Sequence, residues 1–158
     1  NLTKKKKENI ALFLIGGPSK HYHWDSKKVL EQIRNITKKF KFQKILISTS
    51  RRTPIDFINE FNKSKIINIK LYEHTKIMND WLDKNIIKAK NIWVTNDSYS
   101  MIIEAIASGA DIDILELEIK KDSRLSREIN SIKKKIRNEI TIQNEAERVA
   151  KFIKKIWL

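Results

Sequence analysis

The groups in this chain best suited to chemistry gather at one turn: Asp97, Ser98, Ser100 and, further on, Glu104. They lie within IWVTNDSYSMIIEAIASGADIDILEL, Ile92 to Leu117, a stretch that reads as strand, turn, helix, Gly turn, strand. Asp97, Ser98 and Ser100 fall at the predicted helix N-terminus. There the first N–H groups lack intrahelical acceptors and the helix dipole favours an anion. Glu104 sits about two turns into the helix, in the otherwise apolar run IIEAIA. A carboxylate in that setting needs either solvent or a hydrogen-bonding partner such as a sugar hydroxyl. The same residue types also serve as plain caps and as solvent-facing helix positions, so the motif admits both readings.

The elements that must position these groups follow from apolar periodicity. Ile92-Trp93-Val94-Thr95 suits a buried strand, and Met101, Ile102, Ala105 and Ile106 recur at helical spacing. Gly109 is a natural stop for that helix, with a further strand over Ile112, Ile114, Leu115 and Leu117. Upstream, Ile10 to Ile15 and Lys44 to Thr49 read as strands, and a third is expected near Ile67 to Tyr72. Between them a helix runs from a cap at Asp25 or Ser26 to about Phe40. A second helix carries Ile55, Ile58 and Phe61, with Thr53 as its cap and Pro54 at its first position. A helix around Met78 to Ala89 precedes the central unit. Two more follow it, a basic amphipathic one over Ser123 to Arg137 and a last one from about Asn144 to Trp157. Residues 1–9 read as a charged linker or mobile lead-in. Strict alternation of strand and helix predicts an α/β, Rossmann-like domain: one parallel sheet of about five strands with helices on both faces.

In such a sheet ligands bind beyond the carboxyl ends of the strands. The loops at that edge are polar. Gly16 and Gly17 allow close backbone approach, and Ser19 and Lys20 add a hydroxyl and a cation. Ser48, Thr49, Ser50, Arg51 and Arg52 form the densest donor cluster, and Arg grips phosphate bidentately. Together with Asp97, Ser98 and Ser100 these point to a phosphorylated or nucleotide ligand. The first loop, GGPSK, is neither GxGxxG nor GxxxxGK[ST], which excludes the usual dinucleotide fingerprint and the P-loop. His21, His23 and His74 show no metal-ligand spacing, so no metal site is expected.

At 158 residues the chain is one domain's worth, with 41% apolar residues and no cysteine. The missing cysteines exclude a disulfide framework and fit a cytoplasmic setting. Net charge is +14, from 33 Lys+Arg and 19 Asp+Glu. Lysines spread along the whole chain, without clustered arginines and interleaved aromatics, argue against a nucleic-acid partner. The same charge suits peripheral contact with an anionic membrane, and the alternative to a ligand-binding reading is a non-catalytic interaction or membrane-associated module that uses the basic helix Ser123 to Arg137 as its contact surface.

GGPSKHYHW after the first strand, ISTSRRTP closing the second, and VTNDSYSMIIEAIASG together resemble the mitochondrial-fission (elongated-mitochondria) family, whose bacterial members are regarded as glycosyltransferases. A more distant likeness is to the carboxyl-terminal, nucleotide-sugar-binding domain of GT-B glycosyltransferases. The resemblance implies that Glu104 accepts hydrogen bonds from ribose hydroxyls, while Ser98, Ser100 and the backbone at Met101 receive the diphosphate. It implies that Ser50, Arg51 and Arg52 line the nucleotide side and that Gly16 and Gly17 let a substrate approach. The nucleotide-diphosphate sugar would be the donor substrate, with no separate cofactor. An amino-terminal partner domain of a longer protein would supply acceptor binding and the base, so no catalytic residue is assigned.

Overall fold

The computed structural model describes residues 6–76 and 80–157. Ten elements alternate as the periodicity requires: β1 (Glu8–Leu14), α1 (Ser26–Lys39), β2 (Lys44–Ser48), α2 (Ile55–Lys63), β3 (Ile69–Tyr72), α3 (Trp81–Lys88), β4 (Ala89–Thr95), α4 (Tyr99–Ala107), β5 (Asp111–Leu115) and α5 (Arg124–Trp157). The five strands form one sheet in the order β3-β2-β1-β4-β5, and every pairing is parallel. This is the α/β, Rossmann-like arrangement that the alternation predicts. Right-handed crossovers run one way through β1, β2 and β3, then reverse through β4 and β5. That reversal places α1 and α2 on one face of the sheet and α3 and α4 on the other. The point of reversal lies between β1 and β4.

The central strands are buried on both faces. Ala11 to Leu14 of the first strand, Ile15 just after it and Ile92 to Val94 of the fourth belong to the core, and Phe13 stacks on Trp93 with ring centroids 4.9 Å apart. Continuous apolar runs, with no polar alternation, are what a doubly covered parallel sheet demands. Asp25 caps α1 by accepting from the Lys28 N–H at 3.1 Å. Gly109 ends α4 in the left-handed region at φ +78. Both accord with the sequence.

Several boundaries differ from expectation. The first strand begins at Glu8, so Glu8 and Asn9 belong to the sheet and not to a lead-in. Lys7 is also fixed: its Nζ donates to the carbonyls of Ile87 and Ser108, the latter at 2.7 Å, at the ends of α3 and α4. Pro54 is the N-cap of α2 and not its first helical residue, and Thr53 does not cap it. The third strand starts at Ile69, while Ile67 is exposed. Of the helix expected from Met78 to Ala89, Met78 lies outside the described residues, Trp81 begins the observed helix, and Ala89 opens the next strand. The fifth strand stops at Leu115, short of Leu117.

The largest difference is at the tail, where two predicted helices are one, α5, 34 residues long. Ser123 and Ser126 cap its start reciprocally, each side chain accepting from the other's N–H, at 3.1 Å and 2.9 Å. The stretch read as a basic contact surface is docked through its apolar side. Ile129 is 1% exposed, Lys133 pairs with Glu116, and Arg137 reaches both Asp113 and Glu116.

Candidate functional site at the carboxyl edge

Three strands deliver their loops to the reversal point. At the end of β4, Thr95 is fully buried and its Oγ1 accepts from the Gly16 N–H at 2.9 Å. Two residues on, the Asp97 carboxylate accepts from the Gly17 N–H at 3.0 Å. The same oxygen, Oδ2, meets Arg52 Nη2 at 2.8 Å. Loops after β1, β2 and β4 therefore converge on one carboxylate. A second stitch runs through Thr53. Its hydroxyl accepts from the Ser50 N–H at 2.9 Å and donates toward the carbonyls of Gly16 at 2.6 Å and Ile15 at 3.0 Å.

The glycines owe their identity to this convergence. A Cβ on Gly16 would overlap the Asp97 carboxylate, and one on Gly17 would overlap the backbone carbonyl of Arg52. Close approach, the property read from the sequence, is here used between the loops themselves.

The Asp97 side chain is fully buried, whereas that of Arg52 is 43% exposed. Burial pushes the Asp97 carboxyl above the usual aspartate range. The Thr95 hydroxyl, the Gly17 N–H and the Arg52 guanidinium each pull it back without overcoming that cost. Oδ1 is buried without a hydrogen-bond partner among the described residues. Tyr22, 2% exposed on the first loop, has its phenol pushed up by burial first and then by the charges of Asp97 and Glu116.

Asn96, also buried, performs a separate task. Its backbone N–H donates to the Leu115 carbonyl at 3.2 Å. Its side-chain amide donates to the Leu117 carbonyl at 3.2 Å and accepts from the Leu117 N–H at 3.0 Å. The β4–β5 pairing is thereby carried past the last strand residue by a side chain.

The remaining predicted residues divide by exposure. Ser19 shapes the first loop, its Oγ accepting from the N–H groups of His21 and Tyr22 at 3.2 Å each. Ser98 is buried at the N-cap of α4 but makes no side-chain cap bond, which leaves the first-turn N–H groups open. Ser50 and Met101 are half-buried, and Lys20, Arg51, Ser100 and Glu104 are exposed. Among the described residues Lys20, Arg51 and Glu104 have no side-chain hydrogen bond or ion pair. No group of three or more potential metal ligands occurs among the described residues. Sequence reasoning singled out Asp97 and Arg52 but not their mutual contact, and it missed the parts of Thr53, Thr95 and Asn96. The available signal was their position: a hydroxyl or amide residue at or just past the end of a buried strand, where a backbone donor or acceptor needs a partner.

The family model described as mitochondrial fission ELM1 matches residues 1–156. The chain belongs to the mitochondrial fission ELM1 family. The match spans every strand of the sheet and all three stitched loops, so the convergence on Asp97 lies wholly within the ELM1 region. No curated protein matches the chain significantly.

Proposed function

We propose that this ELM1-family chain holds a nucleotide-diphosphate sugar at the carboxyl edge of its sheet, as the donor-binding half of a cytoplasmic GT-B-type glycosyltransferase. One observation carries the reading. At the reversal point the Asp97 junction locks the loops, while Lys20, Arg51, Ser100 and Glu104, on the loops and helix that follow the strands, stay solvent-facing, and Lys20, Arg51 and Glu104 have no side-chain partner among the described residues. Ligands in open α/β sheets occupy that crevice.

In this reading the diphosphate takes the open first turn of α4, with the Ser100 hydroxyl beside it and Arg51 and Lys20 supplying positive charge. Glu104, about 7 Å along the helix from Tyr99, accepts from the ribose hydroxyls. Ser98, Ser50 and Met101 border the site through backbone and hydroxyl groups. Asp97 and Arg52 hold the loops, and the exposed part of Arg52 also faces the nucleotide side. As the sugar leaves, charge grows on the diphosphate, and a preset field of N–H groups and guanidinium stabilises it. Acceptor binding and the base belong to a partner domain.

The test is calorimetric titration of uridine, guanosine, adenosine and cytidine diphosphate sugars into the folded chain and into Arg51→Ala and Glu104→Ala. Binding of one nucleotide class, weakened by both substitutions, supports the proposal. Binding that ignores both, or silence across the panel for chain and full-length protein alike, sinks it.

A further inference from the structure

The apolar stripe of α5 changes sides part-way along. In its first half Leu125, Ile129, Ile132 and Ile136 pack against the core. Beyond that, Ile142, Val149, Phe152, Ile153 and Ile156 are 69%, 52%, 64%, 50% and 62% exposed. At about 100° per residue the second set is centred roughly 130° around the helix from the first. The distal half therefore cannot continue the packing of the proximal half, and its own domain leaves its apolar face uncovered.

Charge is segregated over the last turns of the helix, although Glu145, earlier in the same half, lies on the apolar side. After Glu147 the helix contains no acidic residue, and Arg148, Lys151, Lys154 and Lys155 all fall on the side away from the stripe. Arg148 pairs with Glu145, while Lys151, Lys154 and Lys155 have no ion pair among the described residues. A narrow apolar face backed by unpaired lysines is the pattern of a helix lying in a membrane interface. Among the described residues no helix is long and apolar enough to cross a bilayer, so such contact would lie in the membrane plane.

We propose that the distal half of α5, from about Ile142 to Ile156, is a docking surface for an anionic lipid membrane. The lysine side chains reach the headgroups while Val149, Phe152, Ile153 and Ile156 enter the acyl boundary. This moves the membrane contact away from 123–137, whose apolar side is packed and whose Lys133 and Arg137 are ion-paired, to a segment whose apolar side is exposed and whose Lys151, Lys154 and Lys155 have no ion pair among the described residues. The proposal stands independently of the nucleotide-sugar reading.

The experiment is co-sedimentation of the chain with phosphatidylcholine vesicles and with vesicles of phosphatidylcholine and phosphatidylglycerol. The variants are F152E/I156E and K151E/K154E/K155E, each checked for fold by circular dichroism. The expected result is binding to the anionic vesicles alone, weakened at least about tenfold by either variant. It should also be lost in about 1 M sodium chloride, where the screening length falls to about 3 Å. Absence of vesicle binding, or equal binding to both vesicle types, overturns the proposal. So does concentration-dependent dimerisation that F152E/I156E abolishes, which would assign the stripe to a second copy of the chain.

Discussion

Gly17 and the backbone of Arg52 touch with no room for a single additional carbon between them. The loops after β1 and β2 meet backbone to backbone, and Thr53 holds them there through the Gly16 carbonyl. Gly17→Ala must push these loops apart, against a carbonyl that cannot rotate away. Its expected cost is about 3 kcal/mol or more, read by urea denaturation. Gly109→Ala is the control. Nothing surrounds that position, so only its left-handed backbone is strained, at about 1–2 kcal/mol.

The Arg52–Asp97 pair joins a half-open cation to a buried anion. Arg52→Met leaves the carboxylate buried with one N–H donor fewer in charge, at an expected cost of about 1–2 kcal/mol after allowing for solvent around the guanidinium. Adding Asp97→Asn should recover part of that loss. A double-mutant cycle by chemical denaturation measures the coupling, and strictly additive costs would show that the pair contributes nothing beyond its separate residues.

Asp97 also sets a pH dependence. Its folded pKa is raised by burial above the model-compound value of 3.8, so the native state holds this proton more tightly than the unfolded chain does. The group's contribution is therefore full below about pH 3.8 and declines as pH climbs through the folded value. Asp97→Asn should remove that decline. Melting temperatures measured from pH 3.5 to 8 should fall closer to the parent at the acid end and gain relative to it toward neutrality. Parallel profiles for the two proteins would contradict the burial argument.

The strands were legible because a doubly covered parallel sheet is written as unbroken apolar runs, and Ile10 to Ile15 and Ile92 to Val94 are such runs. The crevice was legible as a set of loops, since strand–helix alternation fixes which turns share an edge. What lay beyond reach was contact between loops 80 residues apart in sequence, such as Gly17 with Asp97. A buried carboxylate and a helix cap look the same in one dimension. The tail misled for a related reason. A stripe that rotates around a continuous helix reads as two stripes on two helices.

Lys7 offers a test of the amino-terminal boundary. Its ammonium serves the carbonyl ends of α3 and α4 together, positions at which the helix dipole favours a cation. Lys7→Met should cost about 1–2 kcal/mol in denaturation, whereas Lys6→Met, one residue earlier and exposed, should cost less than about 0.5 kcal/mol. Equal effects would mean that the lead-in is not anchored.

For donor recognition, Arg51→Ala should weaken binding of the preferred nucleotide sugar about tenfold or more, through loss of a charge-assisted contact to phosphate. Arg51→Lys should restore only part of it, because an ammonium lacks the planar fork. The comparison is made by titration calorimetry at fixed salt, and full rescue by lysine would assign Arg51 a purely electrostatic part.

The amide of Asn96 does for Leu117 what a strand neighbour would do, giving and taking one hydrogen bond. Joined to the Thr53 and Asp97 stitches, it leaves the crevice walls with little freedom to lose. A ligand arriving there would meet a shape already set, and the entropy of ordering loops would not be charged against its affinity. Selection at this edge would then act by rejection: a nucleotide of the wrong outline finds walls that do not yield, and departs quickly.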